Sequence, residues 1–181
     1  MTGNGQTVAV AEPDRTMPER DRVDLILEQW RAERPELDPS PIGVIGRISR
    51  LARELEARLE PVYKAHGLEP GWHDVLATLR RTGPPYQLRP TEFTDALMLT
   101  SSGTTKRLDR LEQAGLIART PDPEDRRGTL ITLTEAGHEL IDAVTEAHLD
   151  NERELLAALS ADEQRRLADL LRKLQLGLPT L

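Results

Sequence analysis

Apolar residues recur at alternating intervals of three and four along most of this 181-residue chain, and this spacing restricts its fold more than any other feature. The longest such run contains Ile45, Ile48, Ala52, Leu55, Leu59 and Val62. Residues with this spacing lie on one face of an α-helix, so the run predicts a long amphipathic helix. Pro61 is expected to kink or end that helix. The chain is therefore predicted to be mainly α.

Shorter helical patterns lie on both sides of this run. The segment DRVDLILEQWRAERP predicts an N-terminal helix, and WHDVLATLRR predicts another that stops before Gly83-Pro84-Pro85. From Glu135 onward the pattern predicts two more helices, the second beginning at a capping box formed by Ser160 and Glu163. These flanking helices carry more apolar surface than a small domain can cover, which favours pairing with a second copy.

Two short helices in the middle of the chain have the arrangement of a helix-turn-helix. The first is predicted over Thr91–Leu97, and Met98-Leu99-Thr100 makes a tight connection to the second. Ser101 or Thr100 is the expected cap at the start of the second helix, and Gly115 suits its end. We call this second helix the reader helix.

The exposed side of the reader helix has the residue types that contact DNA. Small and hydroxyl-bearing side chains let the backbone approach base edges, and cations bind phosphates or guanine. The alternative is an ordinary surface helix with a polar face. The DNA contacts predicted from this helix are Ser101, Ser102, Thr104, Thr105, Lys106 and Arg110.

A charged hairpin is predicted directly after the reader helix. The β-prone runs Leu116–Thr120 and Thr129–Leu133 flank the segment PDPEDRRG, and a hairpin in this position is a wing. Arg126 and Arg127 lie at its tip, where a cation can enter the minor groove of DNA. The alternative is a solvated turn in which these arginines pair with acidic neighbours. The fold class is thus mainly α with a small β wing, a winged helix-turn-helix lobe attached to helical dimerisation segments.

The overall charge does not exclude DNA binding. The net charge is −7, yet residues 85–134 contain seven basic and seven acidic side chains, so the acidic excess lies outside the predicted lobe.

The chain has no cysteine, and its four histidines form no metal-binding motif. We find no pattern of a nucleophile, paired catalytic carboxylates or a phosphate loop, so we expect no enzyme activity and no cofactor. Residues 1–18 are expected to be a disordered tail, and the protein is expected to be cytoplasmic.

The segment from Leu88 to Gly137 resembles the winged helix-turn-helix of MarR-family transcription regulators. The most specific parts are RLDRLEQAGLIAR and the wing pattern formed by Asp125, Arg127 and the run LITLT. The resemblance implies a homodimer that binds a palindromic operator, with a ligand site between the dimer interface and the DNA lobe. It implies N-terminal helices at 19–70, a DNA-binding lobe at 71–134 and C-terminal dimerisation helices at 135–181.

A narrower resemblance is to the urate-responsive branch of that family. That branch has an extra N-terminal helix with a Trp, an Asp and an Arg seven residues apart, and an Arg on the reader helix. Trp30, Asp74, Arg81 and Arg107 occupy the matching positions, which implies a site for urate or a similar anion. The helix dipole also favours Asp74 and Arg81 where they stand, and Trp30 is equally suited to a dimer core.

The sequence thus predicts a ligand-responsive DNA-binding regulator, a repressor released from its operator by a small anionic ligand. The alternative is a winged-helix module that binds other proteins and not specific DNA. Salt-dependent binding to a palindromic duplex distinguishes these two functions, because affinity for DNA falls steeply with salt.

Overall fold

The computed structural model describes residues 20–96, 103–125 and 128–179. Within those ranges it contains seven helices and three strands. In chain order they are α1 (Arg22–Glu33), α2 (Ser40–Ala65), α3 (Trp72–Arg81), β1 (Gln87–Leu88), α4 (Pro90–Ala96), α5 (Thr104–Gln113), β2 (Ile117–Pro121), β3 (Thr129–Leu133), α6 (Glu135–Leu155) and α7 (Ala161–Leu176). The predicted mainly helical fold with one small sheet is confirmed. No helix in the described ranges is long and apolar enough to cross a membrane.

Helix α2 does not end at Pro61. It continues to Ala65, with Pro61 inside it. A proline removes one backbone donor from a helix, and side-chain packing beyond it can compensate for that loss. Tyr63 supplies such packing, because it lies against the hydrophobic core.

The chain divides into two compact units, and the first extends to Ala52. Asp21 caps α1 by accepting hydrogen bonds from the backbone of Val23 and Asp24, at 2.7 and 3.0 Å. Arg47 of α2 pairs with Asp21 and Asp24, through contacts of 2.8 and 2.7 Å. Val23 is buried at the start of α1, and a Cβ added at Gly46 would lie 3.6 Å from it. The small residue on α2 therefore allows close packing of the two segments.

The second unit, from Arg53 onward, has one hydrophobic core. Helix α3 lies at its centre, with Val75, Leu76 and Leu79 completely buried. Trp72 at the start of α3 is also buried. The other buried members come from α4, α5, the sheet, α6 and the segment leading into α3; they are Leu68, Phe93, Leu108, Leu111, Ile117, Ile131, Leu133, Ile141 and Val144. The predicted reader helix, the wing and α6 are thus anchored on α3.

The sheet has the antiparallel order β1-β3-β2. Strands β2 and β3 form the predicted hairpin, in a register that pairs Ile117 with Leu133 and Pro121 with Thr129. Strand β1, which pairs Leu88 with Ile131, was not predicted. Two residues are too short for an alternating pattern, and only the pairing with β3 makes them a strand.

The C-terminal helices begin at the predicted positions. Thr134 caps α6 by accepting a hydrogen bond from the Gly137 backbone, and Ser160 forms the predicted capping box with Glu163 at the start of α7. Helix α7 has no buried residue. Its exposed apolar side chains include Leu167, Leu170, Leu171 and Leu174.

Candidate nucleic-acid interface

Helix α5 is the predicted reader helix, and one of its faces is held in the core. Leu108 and Leu111 are 3% and 0% exposed. Thr105 and Lys106 are exposed, and Thr104 is half-buried. The predicted separation into an apolar face and a polar face is therefore correct. Ser101 and Ser102, the other two predicted hydroxyl contacts, lie outside the described residues.

The start of α5 differs from the prediction. The N-cap is Gly103 and not Ser101 or Thr100, and no side chain accepts a hydrogen bond there. Gly103 has φ +81, a left-handed backbone conformation that glycine adopts without the steric cost of a Cβ. The end of the helix was predicted correctly, since Gly115 follows the last turn with φ +73.

Arg110, predicted to contact DNA, forms an ion pair with another residue of the same chain. Its Nη1 lies 2.6 Å from Oε2 of Glu69, in the connection between α2 and α3. Both side chains remain about half exposed. Lys106, one turn earlier, is fully on the exposed side of the helix.

The acidic side chains of α5 are compensated by one arginine on the adjacent strand. Arg119 of β2 donates to Asp109 over 2.6 Å and also pairs with Glu112. The hydrogen bond to Asp109, together with the charge of Glu112, raises the pKa of Arg119 above its ordinary value. The reader helix therefore presents its cations without an uncompensated carboxylate at these two positions.

The base of the wing is held by a second arginine. Arg89 precedes α4 and donates from Nε to Oδ2 of Asp122 over 2.6 Å, and from Nη2 to Glu124 over 2.9 Å. The Asp122 side chain is only 1% exposed. Its hydrogen bond from Arg89, followed by one from the Glu124 backbone, lowers the pKa of Asp122, and the contacts of Arg89 with Asp122 and Glu124 raise the pKa of Arg89. Asp122 also bridges the turn, since its backbone donates to the Gly128 carbonyl over 3.1 Å.

These contacts fix both ends of the segment that carries the predicted tip arginines. Arg126 and Arg127 themselves lie outside the described residues. A hollow of about 280 Å³ lies at this base, between Arg89, Glu92, Asp122 and Glu124. Its acidic lining makes it unsuited to an anion. The Asp122 contact was not foreseen, because it joins residues 33 positions apart.

Known proteins match this combination of reader helix and wing. The chain is 44% identical over 150 residues to the HTH-type transcriptional regulator PecS of Dickeya dadantii, and the match covers 83% of this chain and 90% of PecS. A family model described as MarR family matches residues 66–128. The chain belongs to the MarR family. MarR-family proteins are DNA-binding transcription regulators, so the prediction that this chain is not an enzyme is confirmed.

Solved MarR-family structures have the same fold. One is Sco3205 of Streptomyces coelicolor in complex with DNA, with a TM-score of 0.70 and 26% identity over 80% of this chain and 91% of that one. Another is a mutant MarR of Escherichia coli complexed with operator DNA, with a TM-score of 0.66 and 26% identity over 83% of this chain and 98% of that one. The alternative of a protein-binding module is not favoured by these similarities.

Two of the residues matching the urate-responsive branch lie on α3 of this MarR-family chain. Asp74 is in the first turn and 9% exposed, and Arg81 is the last residue of the helix and exposed. Each of them takes part in a polar or ionic contact. They are therefore placed on one helix, seven residues apart, as predicted.

Arg107 of the reader helix reaches the start of that same helix. A Cβ added at Gly71, the N-cap of α3, would lie 2.5 Å from Nε and 2.8 Å from Cζ of Arg107. Real Cβ atoms essentially never come that close to another atom, so a side chain at position 71 would force the guanidinium of Arg107 to move. The structure therefore connects α5 directly to the helix that carries Asp74.

Trp30, the fourth of these residues, belongs to the first compact unit. Its side chain is 44% exposed and borders a shallow hollow of about 290 Å³ together with Gln29 and Glu33. It is not part of the buried core of that unit, where α1 contributes Val23 and Leu27. Its predicted role as a ligand contact stays a prediction.

Three rings from α2, α3 and α6 form a cluster that the sequence did not reveal. Tyr63 stacks on His73 with centroids 4.6 Å apart, and its hydroxyl lies 3.1 Å from Nδ1 of His148. Burial, and then the charge of His148, lower the pKa of His73 to about 4. Burial raises the pKa of Tyr63 to about 12. At neutral pH His73 is therefore uncharged. No group of histidine and acidic side chains in the described ranges is arranged to hold a metal ion.

Proposed function

We propose that this chain is a ligand-responsive repressor that binds a palindromic operator as a homodimer. A small, planar, anionic ligand such as urate or a related purine binds at α3 and releases the repressor from DNA. The proposed effector residues in the second unit are Asp74, Arg81 and Arg107. The observation that carries the proposal is the contact of Arg107 with Gly71, because it links the reader helix to the start of α3.

The chemistry of α3 suits an anionic ligand. Arg81 is exposed at the end of the helix, and its planar guanidinium can bind a carboxylate or an oxygen-rich ring by paired hydrogen bonds. Asp74 is nearly buried in the first turn, only three residues beyond Gly71. A ligand anion near Asp74 is repelled by the Asp74 carboxylate. If this repulsion shifts the first turn of α3, the space at Gly71 changes. Arg107, and with it α5, then changes position.

Exposed apolar side chains support the proposed homodimer. In α7 the residues Leu167, Leu170, Leu171 and Leu174 are 38% to 57% exposed, although their spacing is that of a single apolar stripe. A contiguous stripe of exposed apolar side chains is typical of an interface. Replacing Leu170 and Leu171 by Glu is expected to give monomers in sedimentation analysis and to abolish operator binding.

The first experiment is a thermal-shift screen of purines, nucleotides and phenolic or organic acids, followed by gel shifts with each compound that raises the melting temperature. The operator is obtained by letting the protein select duplexes from a random pool. We expect urate or a related purine to weaken binding to the selected duplex. Equal DNA affinity with and without every candidate ligand would overturn the proposed ligand response.

Variants separate ligand binding from DNA binding. Arg81→Ala is expected to retain DNA affinity and to lose the response to the ligand. Trp30→Ala tests the contribution of the extra N-terminal helix in the same way, and an unchanged ligand response would remove Trp30 from the site. Arg127→Ala is expected to weaken binding to all duplexes, because a wing-tip cation contacts the DNA backbone or minor groove.

A further inference from the structure

The loop between α2 and α3, residues 66–71, presents a carboxylate to the reader helix. Oε2 of Glu69 accepts a hydrogen bond from Nη1 of Arg110 over 2.6 Å. The side chains of Glu69 and Arg110 are 46% and 51% exposed. An ion pair with this much exposure contributes little to folding stability, so a closely placed phosphate can replace Glu69 as the partner of Arg110.

The backbone around Glu69 is held in place by the core and not by Arg110. Leu68 is 4% exposed, and its backbone N–H donates to the Tyr63 carbonyl over 3.0 Å. The Glu69 carbonyl accepts from the Trp72 backbone over 3.0 Å, which ties the loop to the first turn of α3. Pro70 further restricts the backbone at the next position. The backbone that carries the Glu69 carboxylate is therefore fixed close to the end of the reader helix.

We propose that Glu69 determines how well the protein discriminates between DNA sequences, by holding Arg110 as a stand-in for a DNA phosphate. A carboxylate and a phosphate offer the same charged acceptor to a guanidinium. Arg110 exchanges Glu69 for a phosphate only where the phosphate is close and well aligned, as it is when the reader helix is fully seated in the groove. A phosphate at the longer distance of a loosely bound complex does not displace the carboxylate. This inference goes beyond the ligand response and requires only that α5 binds DNA.

Discrimination between DNA sequences depends on which complexes contain the phosphate contact of Arg110. A phosphate contact raises the affinity for DNA of any sequence and carries no direct information about the bases. In a loosely bound complex on the wrong sequence, Arg110 stays with Glu69 and adds nothing to the affinity. Without the Glu69 charge, Arg110 takes a phosphate on any duplex, so binding to the wrong sequences gains most.

The test compares wild type with Glu69→Gln, which keeps the shape of the side chain and removes its charge. Fluorescence anisotropy measures the affinity for a duplex selected by the wild-type protein and for a scrambled duplex of the same composition, over a range of salt concentrations. We expect a several-fold gain on the scrambled duplex and a smaller gain on the selected one. The slope of log affinity against log salt on the scrambled duplex should become steeper by about 0.9 for each subunit, the value for one added phosphate contact, and so by about 1.8 for the proposed homodimer.

Three further variants make the result specific. Glu154→Gln removes the same charge from an exposed position near the end of α6, and it is expected to leave both affinities and the salt slope unchanged. In an Arg110→Ala background, Glu69→Gln should have no further effect. Melting curves of every variant check that the fold is retained, and Glu69→Asp, which keeps the charge, should behave like wild type.

Three results would overturn the proposal. Equal gains from Glu69→Gln and Glu154→Gln would mean that overall charge alone matters. A gain that persists in the Arg110→Ala background would mean that Arg110 is not the partner. A loss of affinity for the selected duplex with an unchanged salt slope would make Glu69 a structural support of the reader helix.

Discussion

The guanidinium of Arg107 occupies the space in which a side chain at Gly71 would begin. A Cβ at Gly71 would lie 2.5 Å from Nε, and the backbone there has φ +78. Gly71→Ala therefore introduces backbone strain and forces the Arg107 side chain to leave its present position. We expect it to lower the free energy of unfolding by more than the roughly 1–2 kcal/mol of a left-handed residue with a side chain. Urea denaturation measures this change.

Gly67 provides the matched control for that substitution. It lies in the same loop with φ +73, and a Cβ there would meet nothing within 4 Å. Gly67→Ala should therefore show the backbone cost alone. The excess cost of Gly71→Ala should disappear in an Arg107→Ala background. An equal cost at the two glycines would mean that Arg107 moves aside freely and does not link α5 to α3.

The elements with a local sequence signal were predicted correctly, whereas several contacts of the site were not. The apolar spacing predicted α3 and α6, the turn residues predicted the β2–β3 hairpin, and the Ser160–Glu163 capping box marked the start of α7. Strand β1 was missed because two residues have no period of their own. The Gly103 cap was missed because the prediction relied on a serine or threonine side chain that accepts a hydrogen bond. A glycine in the left-handed conformation begins the helix without such a bond.

The missed contacts join residues that are far apart in the sequence. Glu69 and Arg110 are 41 positions apart, and Tyr63 and His148 are 85 apart. The spacing of apolar residues predicts which face of a helix is buried. It does not predict which polar side chain of another element a residue on the exposed face contacts. The predicted DNA contact at Arg110 looked like a free cation for this reason, and only the fold brought Glu69 to it.

The stability of the wing should depend on Arg89. Asp122 is 1% exposed at its base, and Arg89→Ala removes the guanidinium that compensates this carboxylate. We expect a lower melting temperature and faster hydrogen exchange in β2 and β3, because a buried charge without its partner is costly. The lowered pKa of Asp122 means that its contribution is present above the ordinary pKa of an aspartate and is lost as pH falls below it. Arg89→Ala should therefore reduce the acid sensitivity of these amides, and an unchanged exchange rate would contradict the assigned role.

Arg119 should support DNA binding without contacting DNA. It pairs with Asp109 and Glu112 of the reader helix, so Arg119→Ala leaves two carboxylates uncompensated near the DNA phosphates. We expect affinity for the selected duplex to fall on the order of tenfold at low salt, since like charges placed together oppose association. Adding Asp109→Asn and Glu112→Gln should restore most of the affinity. If the triple variant binds as weakly as Arg119→Ala, the arginine has a different role.

The half-buried His73 should make folding stability depend on pH. Its pKa is about 4 in the folded protein and about 6.5 when unfolded, so only the unfolded chain takes up this proton between those values. Stability from this group is therefore fully present above pH 6.5 and is lost as pH falls toward 4, by about 1–3 kcal/mol. His73→Phe keeps a ring against Tyr63 and should flatten this part of the stability profile, measured by urea denaturation from pH 4.5 to 8. At pH 8 the histidine is neutral in both states, so any difference that remains there reports packing alone. Parallel profiles for the variant and the wild type across the whole range would mean that His73 is not the group responsible.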